Sequence, residues 1–171
     1  MINFASYIRN VPDFPIKGIQ FKDITTLLKE PEVFSSAIDQ MYFPFRDHEI
    51  TKIVGIESRG FIFGSALSYK LNIGFITVRK PGKLPSETLS EEYQLEYGKD
   101  SLEIHVDAID DTDTVLIVDD LLATGGTAAA TCNLVKNLGG KIAGVSFLIE
   151  LAELNGREKL PGYDVQALLK M

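Results

Sequence analysis

The segment Val115 to Thr127, VLIVDDLLATGGT, constrains the fold more than any other stretch of the chain. Four consecutive aliphatic residues, Val115 to Val118, make a strand-length run that is apolar on both faces, and such a run suits a strand covered from both sides. Two adjacent carboxylates follow at once, Asp119 and Asp120, then a turn of small residues, then a helical pattern with Ala128, Cys132 and Val135 on one face. A buried strand that ends in two carboxylates has to present them to solvent or to a ligand. The turn Ala123, Thr124, Gly125, Gly126, Thr127 can converge backbone N–H groups on an anion at a helix N-terminus, with two hydroxyls as further donors. A structural reading competes: the aspartates begin a turn, and Thr124 or Thr127 caps the helix. Strand, acidic pair and small-residue turn in succession favour a phosphate cradle. Neither GxxxxGK[ST] nor GxGxxG occurs in the sequence, so ATP hydrolysis and dinucleotide binding lose support.

The same alternation recurs along the chain. IVGI, from Ile53, runs into Glu57, and Arg59 to Leu71 reads as a largely buried helix with Ile62, Ala66 and Tyr69 at helical spacing. GFITV follows from Gly74. SLEIHV, from Ser101, alternates as a half-solvated strand does. Ile142 to Ile149 is nearly all apolar and predicts a central strand, and Val165 to Leu169 predicts a last one. Residues 80 to 100 are polar, carry Pro81, Gly82, Pro85 and Gly98, and read as a long surface excursion without an apolar face. The expected class is α/β, a mainly parallel central sheet flanked by helices with ligands at the carboxyl ends of strands. No linker or repeat divides the sequence, so residues 1–171 are taken as one domain.

Charge and cysteine content narrow the function classes. Lys and Arg number 17 against 24 Asp and Glu, a net charge of −7 without a block of basic residues, which argues against a nucleic-acid partner. The single cysteine, Cys132, excludes an internal disulfide framework, and no Cys/His cluster suggests a metal site. The first residues lack the pattern of a secretion signal, and no apolar run is long enough to span a bilayer. A cytoplasmic protein with no membrane association is expected. Against the acidic background, Arg79, Lys80 and Lys83 concentrate three cations within five residues. They suit a polyanionic substrate, or they form a solvated turn.

VLIVDDLLATGGT resembles the signature by which type I phosphoribosyltransferases bind phosphoribosyl pyrophosphate. Four further segments, DFPIKGIQFKDITTLL (Asp13 to Leu28), GIESRGFIFG (Gly55 to Gly64), RKPGKLPSET (Arg79 to Thr88) and EEYQLEYGKD (Glu91 to Asp100), look like the adenine phosphoribosyltransferase family in order and spacing. Nearly the whole chain is covered. Two departures lie at Ile16-Lys17, where many relatives have proline before Gly18, and at Thr26, where proline is common.

The resemblance implies a type I phosphoribosyltransferase fold with a small N-terminal hood, residues 1–30, that contributes to base binding. It implies purine salvage: adenine and phosphoribosyl pyrophosphate give AMP and diphosphate, with Mg²⁺ held mainly by phosphoribosyl pyrophosphate and water and no metal site on the protein. A homodimer is implied as well. Asp119 and Asp120 would hold the ribose hydroxyls beside an oxocarbenium-like transition state, and Ala123, Thr124, Gly125, Gly126 and Thr127 the 5-phosphate. Glu57, Ser58, Arg59 and Gly60, with Arg79, Lys80, Lys83 and Tyr97, would take pyrophosphate. Arg59 has an ordinary alternative as a surface charge paired with Glu57. Glu96 would be the general acid/base for the purine, although a glutamate in a polar loop usually serves solubility. Phe21, Lys22 and Leu151 would contact adenine, and Phe21 could equally be core. Two other readings stand beside this one. One is a transferase for another base such as xanthine or orotate; the other is a noncatalytic sensor of phosphoribosyl pyrophosphate.

Overall fold

The structure of the chain, a computed structural model, describes residues 2–94 and 98–171, and Glu96 and Tyr97 lie outside the described residues. Two compact units divide it, residues 1–40 and residues 41–171.

In the first unit, β1 (Arg9–Pro12) and β2 (Gln20–Asp23) form an antiparallel ribbon, followed by α1 (Thr25–Leu28) and the beginning of α2 (Pro31–Tyr42). Asp23 ties the ribbon to the helix that follows. It accepts from the Thr25 N–H at 2.9 Å and from Arg9 Nη2 at 2.6 Å. These bonds, the Thr25 backbone first, hold its carboxyl at about 2. Thr26 donates its hydroxyl to the Tyr7 carbonyl at 2.6 Å, a bond that a proline there could not make.

The second unit is built on a five-stranded sheet, parallel throughout, in the order β4-β3-β7-β8-β9. Its elements in chain order are β3 (Lys52–Ile56), α3 (Gly60–Leu71), β4 (Gly74–Val78), β5 (Thr88–Gln94), β6 (Lys99–His105), β7 (Thr114–Leu122), α4 (Gly126–Asn137), β8 (Lys141–Glu150) and β9 (Val165–Lys170). This is the mainly parallel sheet flanked by helices that the alternation predicts. Val115 to Val118 are all fully buried in β7, the middle strand. The Ile142 to Ile149 run belongs to β8, an interior strand beside the middle one rather than the centre itself.

Two expectations are corrected. Ile62 and Tyr69 are not on the buried face of α3: Tyr69 is 91% exposed and Ile62 37%, while Gly60, Phe63, Gly64 and Leu67 face inward. Both stripes have helical spacing, but only the glycine-bearing one allows close approach. At Gly64 a side chain would meet the Phe75 ring at 2.7 Å. Nor is the stretch from 80 to 100 a bare excursion, since β5 and β6 pair antiparallel as a hairpin. Leu89, Glu91 and Tyr93 alternate inward on β5, and Tyr93, Leu102 and Ile104 are buried in the core cluster. Two apolar residues in seven were too few to signal that face in the sequence.

Candidate active site

Between β3 and β7 the sheet changes direction. The chain leaves β3 outward to β4 and later returns on the other side of β3 as β7, and parallel α/β sheets bind ligands at the carboxyl ends flanking such a point. Gly55 of β3 lies in register with Val118 of β7, so the residues that follow β3 come beside Asp119 and Asp120. Glu57 to Gly60 follow β3. Asp119 and Asp120 lie in the last half of β7, which ends at Leu122, and Ala123 to Thr127 lead from it into α4.

Asp119 and Asp120 lie within β7, not in a turn, and are 8% and 4% exposed. Asp119 Oδ1 accepts from the Asp120 N–H at 2.8 Å. Arg59 Nε stands 2.9 Å from Asp120 Oδ2, yet off the hydrogen-bonding direction, and that oxygen is buried without a hydrogen-bond donor among the described residues. Burial, then the charge of Asp120, pushes the Asp119 carboxyl well above the usual range. Asp120 is raised by burial in spite of Arg59. The surface pairing of Arg59 with Glu57 is therefore replaced by a pair spanning the ends of β3 and β7. Gly60 makes that approach possible, because a Cβ there would come within 2.8 Å of both Asp119 Oδ1 and the Val118 carbonyl.

The turn after β7 is not closed by a threonine cap. The N-cap of α4 is Gly125, at φ 80°, and makes no side-chain cap hydrogen bond. Thr124 and Thr127 are half-buried. With neither hydroxyl consumed in capping, the first turn of α4 keeps the character of an anion site. Gly125 also has a packing role that the sequence did not reveal: a side chain there would run into the Gly156 carbonyl, and one at Gly156 would run into the Ala123 carbonyl. The two turns touch backbone to backbone.

Glu57 is fully engaged with the cationic run. Its carboxylate accepts from Lys83 Nζ, from the Lys80 N–H at 2.9 Å and from Arg79 Nε at 3.2 Å. Burial pushes its pKa upward, but these three donors outweigh burial and hold it at about 2. Glu57 is thus the organiser of the cationic run, and the run is not a solvated turn. Lys80 Nζ donates to Asp100 and, at 2.6 Å, to the Tyr93 hydroxyl. Arg79 also exchanges backbone hydrogen bonds with Glu103, and Gly82 N–H reaches Glu103 Oε2 at 3.0 Å. Tyr93, Asp100 and Glu103 were missed by sequence reasoning; inward alternation with Leu89 was the one available signal for Tyr93.

Leu151 begins the connection after β8, and its N–H donates to the Leu122 carbonyl at 2.9 Å, which places it beside the turn after β7. In the first unit, Phe21 meets Phe14 edge-on with ring centroids 5.1 Å apart, and both line a cavity of about 350 Å³ with Val11 and Asp23. Lys22 Nζ bonds Asn10 Oδ1 at 2.7 Å across the ribbon. Cys132 is buried, and burial pushes its thiol up to about 12, so it is an unreactive core residue. Among the described residues no three His, Cys, Asp or Glu side chains converge as a metal cage, and no helix is long and apolar enough to cross a membrane.

Comparison with known proteins meets this geometry. Residues 23–167 match the family described as the phosphoribosyl transferase domain. An adenine phosphoribosyltransferase of Alkaliphilus metalliredigens is 56% identical over 169 residues, 99% of this chain and 99% of that one. The crystal structure of the adenine phosphoribosyltransferase of Rhodothermus marinus superposes with a TM-score of 0.95 at 55% identity, covering 98% of this chain and 96% of that one. The Saccharomyces cerevisiae enzyme, complexed with an imino-altritol bisphosphate and adenine, gives 0.91 at 41% identity over 96% of each chain. Matched by the family over most of its length, 56% identical to one adenine phosphoribosyltransferase and superposed on another at a TM-score of 0.95, the chain belongs to the adenine phosphoribosyltransferase family.

Proposed function

We infer that the chain transfers the phosphoribosyl group of phosphoribosyl pyrophosphate to adenine, giving AMP and diphosphate. The observation that carries this reading is the pair of buried aspartates in the last half of β7, facing Arg59, with the strand running on through a small-residue turn into an uncapped helix start. In the reaction the C1′–oxygen bond to diphosphate breaks, adenine N9 forms the new bond to C1′ with inversion, and the purine gives up one proton. Asp119 and Asp120 accept from the ribose hydroxyls and place negative charge where the sugar turns cationic. Ala123 to Thr127 bind the 5-phosphate. Ser58, Arg59, Gly60, Arg79, Lys80 and Lys83 bind diphosphate, with Glu57 arraying the cations and Tyr97 assigned by resemblance. Phe21, Lys22 and Leu151 are assigned to adenine.

Mg²⁺ is assigned to substrate oxygens and water: Asp120 Oδ2 is buried without a hydrogen-bond donor among the described residues, but Arg59 Nε stands 2.9 Å away and already balances its charge. When bound, the ion would neutralise charge on the diphosphate. We further assign the chain one phosphoribosyltransferase domain, residues 1–171, with residues 1–30 as the base-binding hood, and a cytoplasmic homodimer as its working form.

A coupled assay with adenine, hypoxanthine, guanine, xanthine and orotate tests the reading. Turnover with adenine alone is expected; turnover with another base in its place, or with none, overturns it. Glu96 is assigned as the general acid/base. Glu96→Gln is expected to lower kcat by about 10²-fold with little change in substrate affinity. Full kcat in that variant would show that the proton travels by another route.

A further inference from the structure

We propose that Arg157, through its ion pair with Glu150, is a positioning residue for the turn after β7, and so sets affinity for the phosphate monoester end of the substrate. The proposal rests on the assignment of Ala123 to Thr127 to the 5-phosphate. Glu150 is the last residue of β8 and is 5% exposed, and Arg157 lies seven positions later in a short 3₁₀ turn, Gly156–Lys159. The guanidinium grips both carboxylate oxygens, Nε to Oε1 at 2.5 Å and Nη2 to Oε2 at 2.8 Å, and its third edge donates to the Val165 carbonyl at 2.5 Å. One side chain therefore ties the end of β8, the 3₁₀ turn and the start of β9 together. Only a guanidinium has the planar fork for that arrangement. The Arg157 bond holds the Glu150 carboxyl below the usual range, so the pair is ionised at neutral pH.

What this clasp holds in place is Gly156. Its backbone abuts the phosphate-binding turn so closely that a Cβ there would lie 2.9 Å from Leu122 Cδ1 and 3.1 Å from the Gly125 nitrogen, besides overlapping the Ala123 carbonyl. The Leu151 N–H, at the other end of the clasped loop, donates to the Leu122 carbonyl. Gly156 thus backs the turn, backbone against backbone, while the Leu151 hydrogen bond fixes the other end of the loop on Leu122. Close-packed backbone transmits displacement instead of absorbing it. If Arg157 lets the loop shift, the amides that converge on the phosphate shift with it, and hydrogen bonds to an anion weaken steeply with misalignment. The diphosphate subsite, built on the residues after β3 and on the cationic run, has no part in this contact.

The test compares the purified wild-type enzyme with Arg157→Lys, Glu150→Gln and Gly156→Ala in both reaction directions, with Tm measured for each. Arg157→Lys and Glu150→Gln are expected to raise KM for phosphoribosyl pyrophosphate and for AMP about tenfold, and to leave KM for inorganic pyrophosphate unchanged. Gly156→Ala should give the same split with a larger rise. A role in stability alone would lower Tm and leave the KM values level, or move all three together; either result overturns the proposal. Thr124→Ala separates the premise from the inference. If it weakens phosphoribosyl pyrophosphate and AMP while folded Arg157→Lys does not, the positioning role fails alone. If Thr124→Ala changes neither ligand, the cradle assignment fails and takes the proposal with it.

Discussion

Asp113 and the pair Asp119/Asp120 sit at opposite ends of the same strand, are comparably buried, and are treated by the fold in opposite ways. Asp113, just before β7, is 5% exposed and fully engaged: it accepts from the Thr51 hydroxyl at 2.8 Å, from Lys52 Nζ at 2.7 Å and from the Asp110 N–H at 3.1 Å. Burial raises its pKa, but these donors outweigh burial and leave it lowered. Toward the carboxyl end, Asp119 and Asp120 repel each other, one oxygen lacks a donor among the described residues, and both are raised. A carboxylate that serves the fold is supplied with donors by the fold. On the proposed function Asp119 and Asp120 serve a ligand and are left short of donors, a cost in stability that binding would repay.

The comparison breaks most sharply at the acidic pair. Asp119→Asn with Asp120→Asn is expected to lower kcat/KM by about 10³-fold or more, with Tm equal to or above that of the wild type. The sign follows from linkage: a folded-state pKa raised above 3.8 means that stability falls as pH rises from 3.8 through the folded value. The variant's thermal advantage should therefore shrink as the pH of the melt is lowered through that folded value toward 3.8. A clear drop in Tm at neutral pH would place the pair with Asp113 as structural.

Glu57 lies between the two extremes, since it is fully paired yet pairs with the cations of the site. Glu57→Gln is expected to reduce kcat/KM for phosphoribosyl pyrophosphate about tenfold. Its folded pKa is depressed from 4.5 to about 2, so the stability it contributes is present above 4.5 and lost as pH falls through about 2. Acid unfolding of wild type and variant should converge over that window; parallel curves would refute the pairing. The smallest effect on activity is expected at the other end of the sheet. Asp113→Asn should leave kinetics unchanged and cost about 2 kcal/mol in denaturant unfolding at neutral pH. That cost should fade as pH falls from 3.8 through the lowered folded value. Lost activity in a folded Asp113 variant would mean that the two ends of β7 are not independent.

The sequence was informative where chemistry and pattern coincide. The run Val115 to Val118, ending in Asp119 and Asp120 and followed by ATGGT, fits one local arrangement, and the structure has it as strand, strand end and helix start. The parallel α/β class follows from the same alternation, because a strand apolar on both faces needs a layer on each side. Pairings between distant residues were not legible. Glu57 with Arg79 and Lys83, Lys80 with Tyr93 and Asp100, and Arg157 with Glu150 are each ordinary charged residues until the chain brings them together. Which stripe of α3 is buried was likewise undecided by spacing, since Ile62, Ala66 and Tyr69 repeat as well as Phe63 and Leu67 do; close packing against β3 and β4 chose the glycine-bearing face. Local order in the sequence determined the elements and the class of ligand. Tertiary structure alone decided which charges are satisfied, because that depends on geometry across the fold and not on neighbours along the chain.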